Sequence, residues 1–346
     1  MARPRPVFLH GLWRSGTTYV WSRFREAPGT YCYYEPLNPG MRRLRQARLD
    51  RDTPELMARR GHPVLARPYF AEYAPLLTRR GIRGYRPAFA HDRFALTPGE
   101  GHDALARYVA SLVDHGASQG KVPVLGFNRT GLRVAWLRQR FASCDVHIDR
   151  DPLGVWASYR RHMADGNYSF FTFWLTIAER NAAHPVFAPL AARLPRPGLL
   201  ERLRLASPKR SYAAALDRMG DEETYLMVVY VWAACALHAL GHCDVVIDMG
   251  RAGEPGYAAD RADAVRAASG LDVRFDELRA TSAAEAEALI PREAREAVER
   301  EALALLPRDA LGPFLDAARA RARLAELAPR KAALLASLLE DFPGPA

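Results

Sequence analysis

The chain has 346 residues, 49% of them hydrophobic and 25% charged, with a formal net charge of +10; that is enough apolar content to bury a full core, and it excludes a disordered segment. The charge comes from an arginine-heavy, lysine-poor balance scattered from Arg3 to Arg330, without the basic tract or interleaved aromatics of a nucleic-acid binder, so anionic small ligands are the expected partners and nucleic acid is not. Cys32, Cys144, Cys235 and Cys243 show no C-x-x-C pairing and no secretory leader is read ahead of the first strand, so a reducing, cytoplasmic setting is the expectation.

The first element is the apolar run Val7-Phe8-Leu9, a short buried strand. It feeds a glycine-flanked turn, His10-Gly11-Leu12-Trp13-Arg14-Ser15-Gly16-Thr17-Thr18, and then a helix whose core face is Val20, Trp21 and Phe24 and which Pro28-Gly29 ends. A helix start leaves backbone N–H groups unpaired at the positive end of its dipole, which favours an anion. Hydroxyls from Ser15, Thr17 and Thr18 add donors there. The loop of nucleotide triphosphatases reads G-x-x-x-x-G-K-[ST], with the lysine on the β- and γ-phosphates and the hydroxyl on Mg²⁺. Here Thr17 stands where that lysine would be, and the basic residue is Arg14, two positions before Gly16. One phosphate suits this arrangement better than a triphosphate with its metal.

Tyr31 to Tyr34 reads as a second strand, and Glu35-Pro36 ends it, placing a carboxylate at a strand's carboxyl end, where ligands of open α/β sheets bind. From about Arg42 to Gly120 the chain is arginine-rich, with Tyr69, Phe70, Tyr73, Tyr85, Phe89 and Phe94 among Pro and Gly punctuators. An irregular and helical insertion over the sheet's active edge is expected there, with a helix from Gly101 to His115. The parallel-sheet pattern returns at Val122 to Phe127, leaving Asn128 and Arg129 at a strand's carboxyl end, before a helix carrying Leu132, Ala135, Trp136, Leu137 and Phe141. Asp145-Val146-His147-Ile148 is the next strand. Asp149-Arg150-Asp151-Pro152 follows, then a helix with Val155, Trp156, Ser158 and Tyr159, whose first turn accommodates Pro152. Arg150 therefore ends a strand, and Ser158 lies about two turns along the helix. An arginine fork matches phosphate oxygens, and a helix-borne hydroxyl can reach the same anion.

Asn167-Tyr168-Ser169-Phe170-Phe171 reads as an aromatic loop whose rings fill the core or, as the alternative, line an acceptor pocket. Tyr225 to Leu240 is almost wholly apolar but only 16 residues long, short for a span and right for a buried helix, so no membrane segment is expected. Gly241 leads into the strand Val245 to Asp248, followed by a helix from Asp260 to Ser269. His238 and His242 have the spacing of a metal pair on one helical face, but no third ligand shares their register, and no metal is expected. From Asp276 the chain is rich in Ala, Glu, Leu and Arg, with helix-starting prolines at Pro291 and Pro329. Such a tail suits capping, dimerisation (a homodimer) or a lid. The expected fold class is α/β: a P-loop-like three-layer fold with a central parallel β-sheet flanked by helices. The domain would span residues 1–275, with an insertion at 42–120 and a helical extension at 276–346.

The wording Arg14-Ser15-Gly16-Thr17-Thr18 and the eight-residue interval from Arg150 to Ser158 resemble the sulfotransferase superfamily that uses 3′-phosphoadenosine 5′-phosphosulfate, in its bacterial and Golgi or tyrosylprotein-like branches. The resemblance implies that Arg14, Ser15, Gly16, Thr17 and Thr18 hold the 5′-phosphosulfate. It implies that Arg150 and Ser158 hold the 3′-phosphate, that Arg129 touches cofactor or acceptor, and that Glu35 deprotonates the acceptor. The implied reaction is in-line transfer of a sulfuryl group to a hydroxyl or amine of a small-molecule or carbohydrate acceptor, leaving 3′,5′-adenosine bisphosphate, without a metal. The K-G-x-x-G-x-W loop of the cytosolic aryl and steroid enzymes has no counterpart here. The rival is a P-loop small-molecule kinase using ATP and Mg²⁺: Val245 to Asp248 looks like the apolar strand whose aspartate helps hold that metal. A third possibility is a binding module without catalysis.

Overall fold

Strand β1 (Val7–Gly11) runs two residues past the apolar triplet, because the polar side chain of His10 is satisfied inside the core by Thr130 Oγ1 at 2.7 Å and Asp145 Oδ1 at 3.0 Å. The computed structural model describes residues 4–49, 65–198, 208–276, 278, 284–340 and 342. After β1 come α1 (Thr17–Glu26), β2 (Thr30–Tyr34), the two-residue strands β3 (Leu77–Thr78) and β4 (Gly81–Ile82), and α2 (Asp103–Ser118). Next are β5 (Val122–Phe127), α3 (Val134–Phe141), β6 (Cys144–Asp149), α4 (Pro152–Ala164) and α5 (Ser169–Arg180). The long helix α6 (Asp221–His242), β7 (Val245–Asp248) and α7 (Tyr257–Ser269) follow, and the tail carries α8 (Arg292–Leu305) and α9 (Pro329–Leu339).

The five long strands form one all-parallel sheet in the order β2-β5-β1-β6-β7. Val7 pairs with Val124 on one side and with Cys144 on the other. The expected α/β architecture with a central parallel sheet flanked by helices is present. Apolar side chains form two main cores: α1, α2 and α7 belong to one with most of the strand residues, while α4, α5, α6 and the tail helices share the other. All sheet connections leave from the carboxyl ends, so the segments after β2, β5, β1, β6 and β7 line up along one edge. That edge is where open α/β sheets bind ligands.

One local expectation changes. Ser169 and Phe171, expected in an aromatic loop, lie in the first turn of α5, because Phe171, Trp174, Leu175 and Ala178 recur at helical spacing and are all buried. Within 42–120, α2 is a regular helix, but the described remainder is mostly 3₁₀ turns at Pro39–Arg43, Ala71–Leu76 and Pro87–Ala90 plus the β3-β4 hairpin. Residues 50–64 of that insertion lie outside the described residues. Helix α6 is long and apolar enough to cross a membrane by length and composition, yet its apolar window is entirely buried within this fold. It packs against α4, α8 and the tail segment Ala317–Ala322.

Candidate anion and transfer site

The turn after β1 is tight and close-packed. Arg14 sits at φ 65° and Gly16 at φ 92°, so two of three consecutive residues occupy the left-handed region. Any Cβ at Gly16 would also meet the Met249 side chain at 2.9 Å. Glu35 is at φ 43°. Arg14 and Glu35 are thus among only four non-glycine residues with positive φ in the described chain, a conformation that costs of order 1–3 kcal/mol and concentrates at functional sites.

Two motifs far apart in sequence meet here. Arg14 Nε donates to Ser158 Oγ at 3.0 Å, and Arg150 Nη1 donates to the Arg14 carbonyl at 2.8 Å. Among the described residues Arg150 Nε is buried without a hydrogen-bond partner. Its guanidinium lies across the first turn of α4, where a Cβ at Gly154 would come within 3.1 Å of Nε. Burial first, and the charge of Arg14 second, push Arg150 down to about 10. Arg14 is lowered as well, again mainly by burial, with Arg161 adding like charge. Crowded, half-desolvated cations of this kind favour a bound anion. Tyr159 Oη, from α4, donates to the Trp13 carbonyl at 3.1 Å and fixes the loop over that helix.

The hydroxyls divide. Ser15 Oγ donates to the Leu12 carbonyl at 2.7 Å and is buried within its own turn. Thr18 Oγ1 shares a hydrogen bond with Tyr34 Oη at 2.9 Å. Thr17 begins α1 half-buried, and its hydroxyl makes no hydrogen bond among the described residues. Of the three, only Thr17 keeps its hydroxyl uncommitted.

Glu35 stands at the carboxyl end of β2, where its N–H continues the pairing to the Gly126 carbonyl at 3.0 Å. Asn128 Nδ2 donates to Oε1 and Asn38 Nδ2 to Oε2, both at 2.5 Å, while Arg129 Nη1 lies 3.5 Å from Oε2. Arg129 is fully enclosed. Burial lowers its basicity against the pull of Glu35, and its guanidinium packs over Trp13 at 4.7 Å and Phe173 at 4.8 Å. It therefore reaches the loop through an aromatic contact and the carboxylate through its charge. Asn38, Asn128 and Gly154 complete the site without a motif to announce them; only their position at strand ends or a helix start points to them.

Two further expectations meet their surroundings. Asp248 accepts hydrogen bonds from Lys331 Nζ at 2.5 Å, Gly250 N–H at 2.7 Å and Ala328 N–H at 2.6 Å. His238 Nδ1 and His242 Nε2 both turn to the Phe314 carbonyl. Comparison of the chain with protein-family models, curated proteins and solved structures finds no match.

Proposed function

We propose that the protein is a sulfotransferase with a P-loop-like anion loop, moving a sulfuryl group from 3′-phosphoadenosine 5′-phosphosulfate to a hydroxyl or amine of a small-molecule or carbohydrate acceptor. The observation that carries this is the meeting of Arg14, Arg150 and Ser158: two arginines and a helix-borne hydroxyl, joined by direct hydrogen bonds and short of counter-charge. The donor set fits a phosphate-bearing ligand because Arg150 Nε is an orphaned buried donor and both guanidinia are partly desolvated. When bound, the donor nucleotide supplies the sulfuryl group and its phosphate leaving group.

The chain's own residues divide the remaining work. Arg14 and the N–H groups at the start of α1 offset charge gathering on the 5′-phosphate side, while Arg150 and Ser158 hold the 3′-phosphate. Glu35 takes the proton from the acceptor. Its carboxylate is aimed by Asn38 and Asn128 and steadied by Arg129, so orientation, not free motion, sets the encounter. A kinase using ATP and Mg²⁺ is the weaker alternative, because the Asp248 carboxylate is already occupied by Lys331 and two backbone N–H groups.

Calorimetry separates the two. Adenosine 3′,5′-bisphosphate is expected to bind without Mg²⁺ and more tightly than ATP under either condition. Metal-dependent binding of ATP with no binding of the bisphosphate would overturn the sulfotransferase assignment.

A further inference from the structure

Arg150 is flanked in sequence by Asp149 and Asp151, so the anions nearest to it along the chain are its own neighbours. Neither aspartate pairs with it. Asp149 accepts from Trp232 Nε1 at 2.9 Å and from Lys331 Nζ, which also bonds Asp248. Asp151 caps α4 through Oδ1, which accepts from Leu153 N–H at 2.8 Å, while Oδ2 accepts from Arg330 Nη1 at 2.6 Å. Arg330 also pairs with Glu299, which accepts from Tyr225 Oη. Two consecutive cations of the tail thus take up the two carboxylates on either side of Arg150.

Their location argues against a merely local purpose. Arg330 and Lys331 lie in the first turn of α9, where the positive end of the helix dipole penalises cations by about 0.3–1 kcal/mol. Lys331 is 1% exposed, and burying an ammonium is costly unless its partners are in place. The contacts span 179 and 182 residues of sequence. Meanwhile Arg150 keeps Nε unpartnered, and Asp151 is the carboxylate whose charge bears on it.

We propose that Arg330, with Lys331 beside it, is a positioning residue for the anion site: by holding Asp151 and Asp149 it keeps the Arg150 guanidinium open to a ligand phosphate. This rests on Arg150 being a phosphate ligand, as proposed above. Without Arg330, Asp151 Oδ2 is freed to turn toward Arg150, on which its charge already bears, and competes with the incoming phosphate.

The test is a titration of the full chain with adenosine 3′,5′-bisphosphate, comparing wild type, Arg330→Gln, Arg330→Lys, Asp151→Asn and the Arg330→Gln/Asp151→Asn double variant. Asparagine still caps α4. Arg330→Gln is expected to raise Kd about tenfold, Arg330→Lys to recover most of that loss, and the double variant to return to within about twofold of Asp151→Asn alone. A purely structural contribution would leave the double variant as weak as Arg330→Gln, and that result, or an unchanged Kd in Arg330→Gln, overturns the proposal. Should Arg330→Gln fail to fold, Arg330→Met, which keeps the long stem without the charge, serves in its place: a rise in Kd relieved by Asp151→Asn supports the proposal, and no rise refutes it. If the wild type binds no bisphosphate, the sulfotransferase assignment fails. The tail inference is then read from the Arg150 Nε–H NMR signal, assigned with Arg150→Lys: a shift in Arg330→Gln that Asp151→Asn reverses sustains it, and an unmoved signal refutes it.

Discussion

At Gly154 an added methyl group would crowd the Arg150 guanidinium. An alanine Cβ would lie 3.1 Å from Arg150 Nε and 3.3 Å from Nη2, tight enough to push the guanidinium outward, and a valine adds a second carbon to the same contact. Gly154→Val is therefore expected to weaken adenosine 3′,5′-bisphosphate about tenfold or more, by loss of a charge-assisted pair, with Gly154→Ala between it and wild type; equal affinities by calorimetry would show that Arg150 does not hold the ligand. Glu35 permits a different test. Its two oxygens each accept an amide N–H, from Asn128 and Asn38, and Glu35→Gln turns one acceptor into a donor facing a donor. Turnover with labelled donor should fall about 10²-fold or more while the bisphosphate Kd stays within about twofold; near-normal turnover would remove Glu35 as the base. Arg14, Arg150 and Ser158 are legible in sequence because strand ends and helical spacing fix where such residues point. Ser15 is not: its short side chain beside a tight turn satisfies the Leu12 carbonyl. Nor is the Asn128 contact, made across 93 residues.

Among the elements, α6 shows how far an apolar run can be read. Its buried character follows from composition, but its true length of 22 residues depends on polar ends: Asp221, Glu222 and Glu223 favour the positive helix start, and Glu223 accepts from the Gly220 N–H at 2.9 Å. The insertion is not legible in the same way, because 3₁₀ turns and a two-residue hairpin carry no period that aromatics and arginines could mark. Near its carboxyl end α6 places His238 wholly inside, where Nδ1–H donates to the Phe314 carbonyl and Nε2 accepts from the Ala135 N–H. Burial, with His242 second, pushes His238 down to about 3. The folded value lies below the unfolded one of about 6.5, so protons favour the unfolded chain: the contribution is whole above pH 6.5 and shrinks as pH falls toward 3. At about 1.4 kcal/mol per unit, roughly 2 kcal/mol is lost by about pH 5. His238→Gln can make the same two hydrogen bonds without titrating. Urea unfolding between pH 7 and about pH 5 should show a stability loss smaller by about that amount in the variant; identical losses would mean that His238 does not report the acid sensitivity.

For the whole molecule, the question is whether residues 276–346 are an extension or part of the fold. In sequence they look separable, since an Ala-, Glu-, Leu- and Arg-rich helix carries an apolar face but no sign of what covers it. In the structure that face meets α6. Val298, Ala302 and Leu303 of α8 and Leu335, Leu338 and Leu339 of α9 are buried in the same core as nearly all of α6, and Lys331 closes over Asp149 and Asp248 at the ends of β6 and β7. Each buried aliphatic contributes about 1.5–3 kcal/mol, so these side chains together are worth on the order of 10 kcal/mol, the size of a whole domain's stability. Removing Lys331 from between two buried carboxylates adds several kcal/mol more. A chain ending at residue 275 is therefore expected to expose α6, to lose cooperative thermal unfolding by circular dichroism and calorimetry, and to aggregate on concentration, because a bare apolar helix of this length seeks any cover available. A sharp, reversible transition in the shortened chain, with dispersed amide NMR signals, would show instead that the sheet and its remaining helices form a self-sufficient core and that the tail is an addition to it.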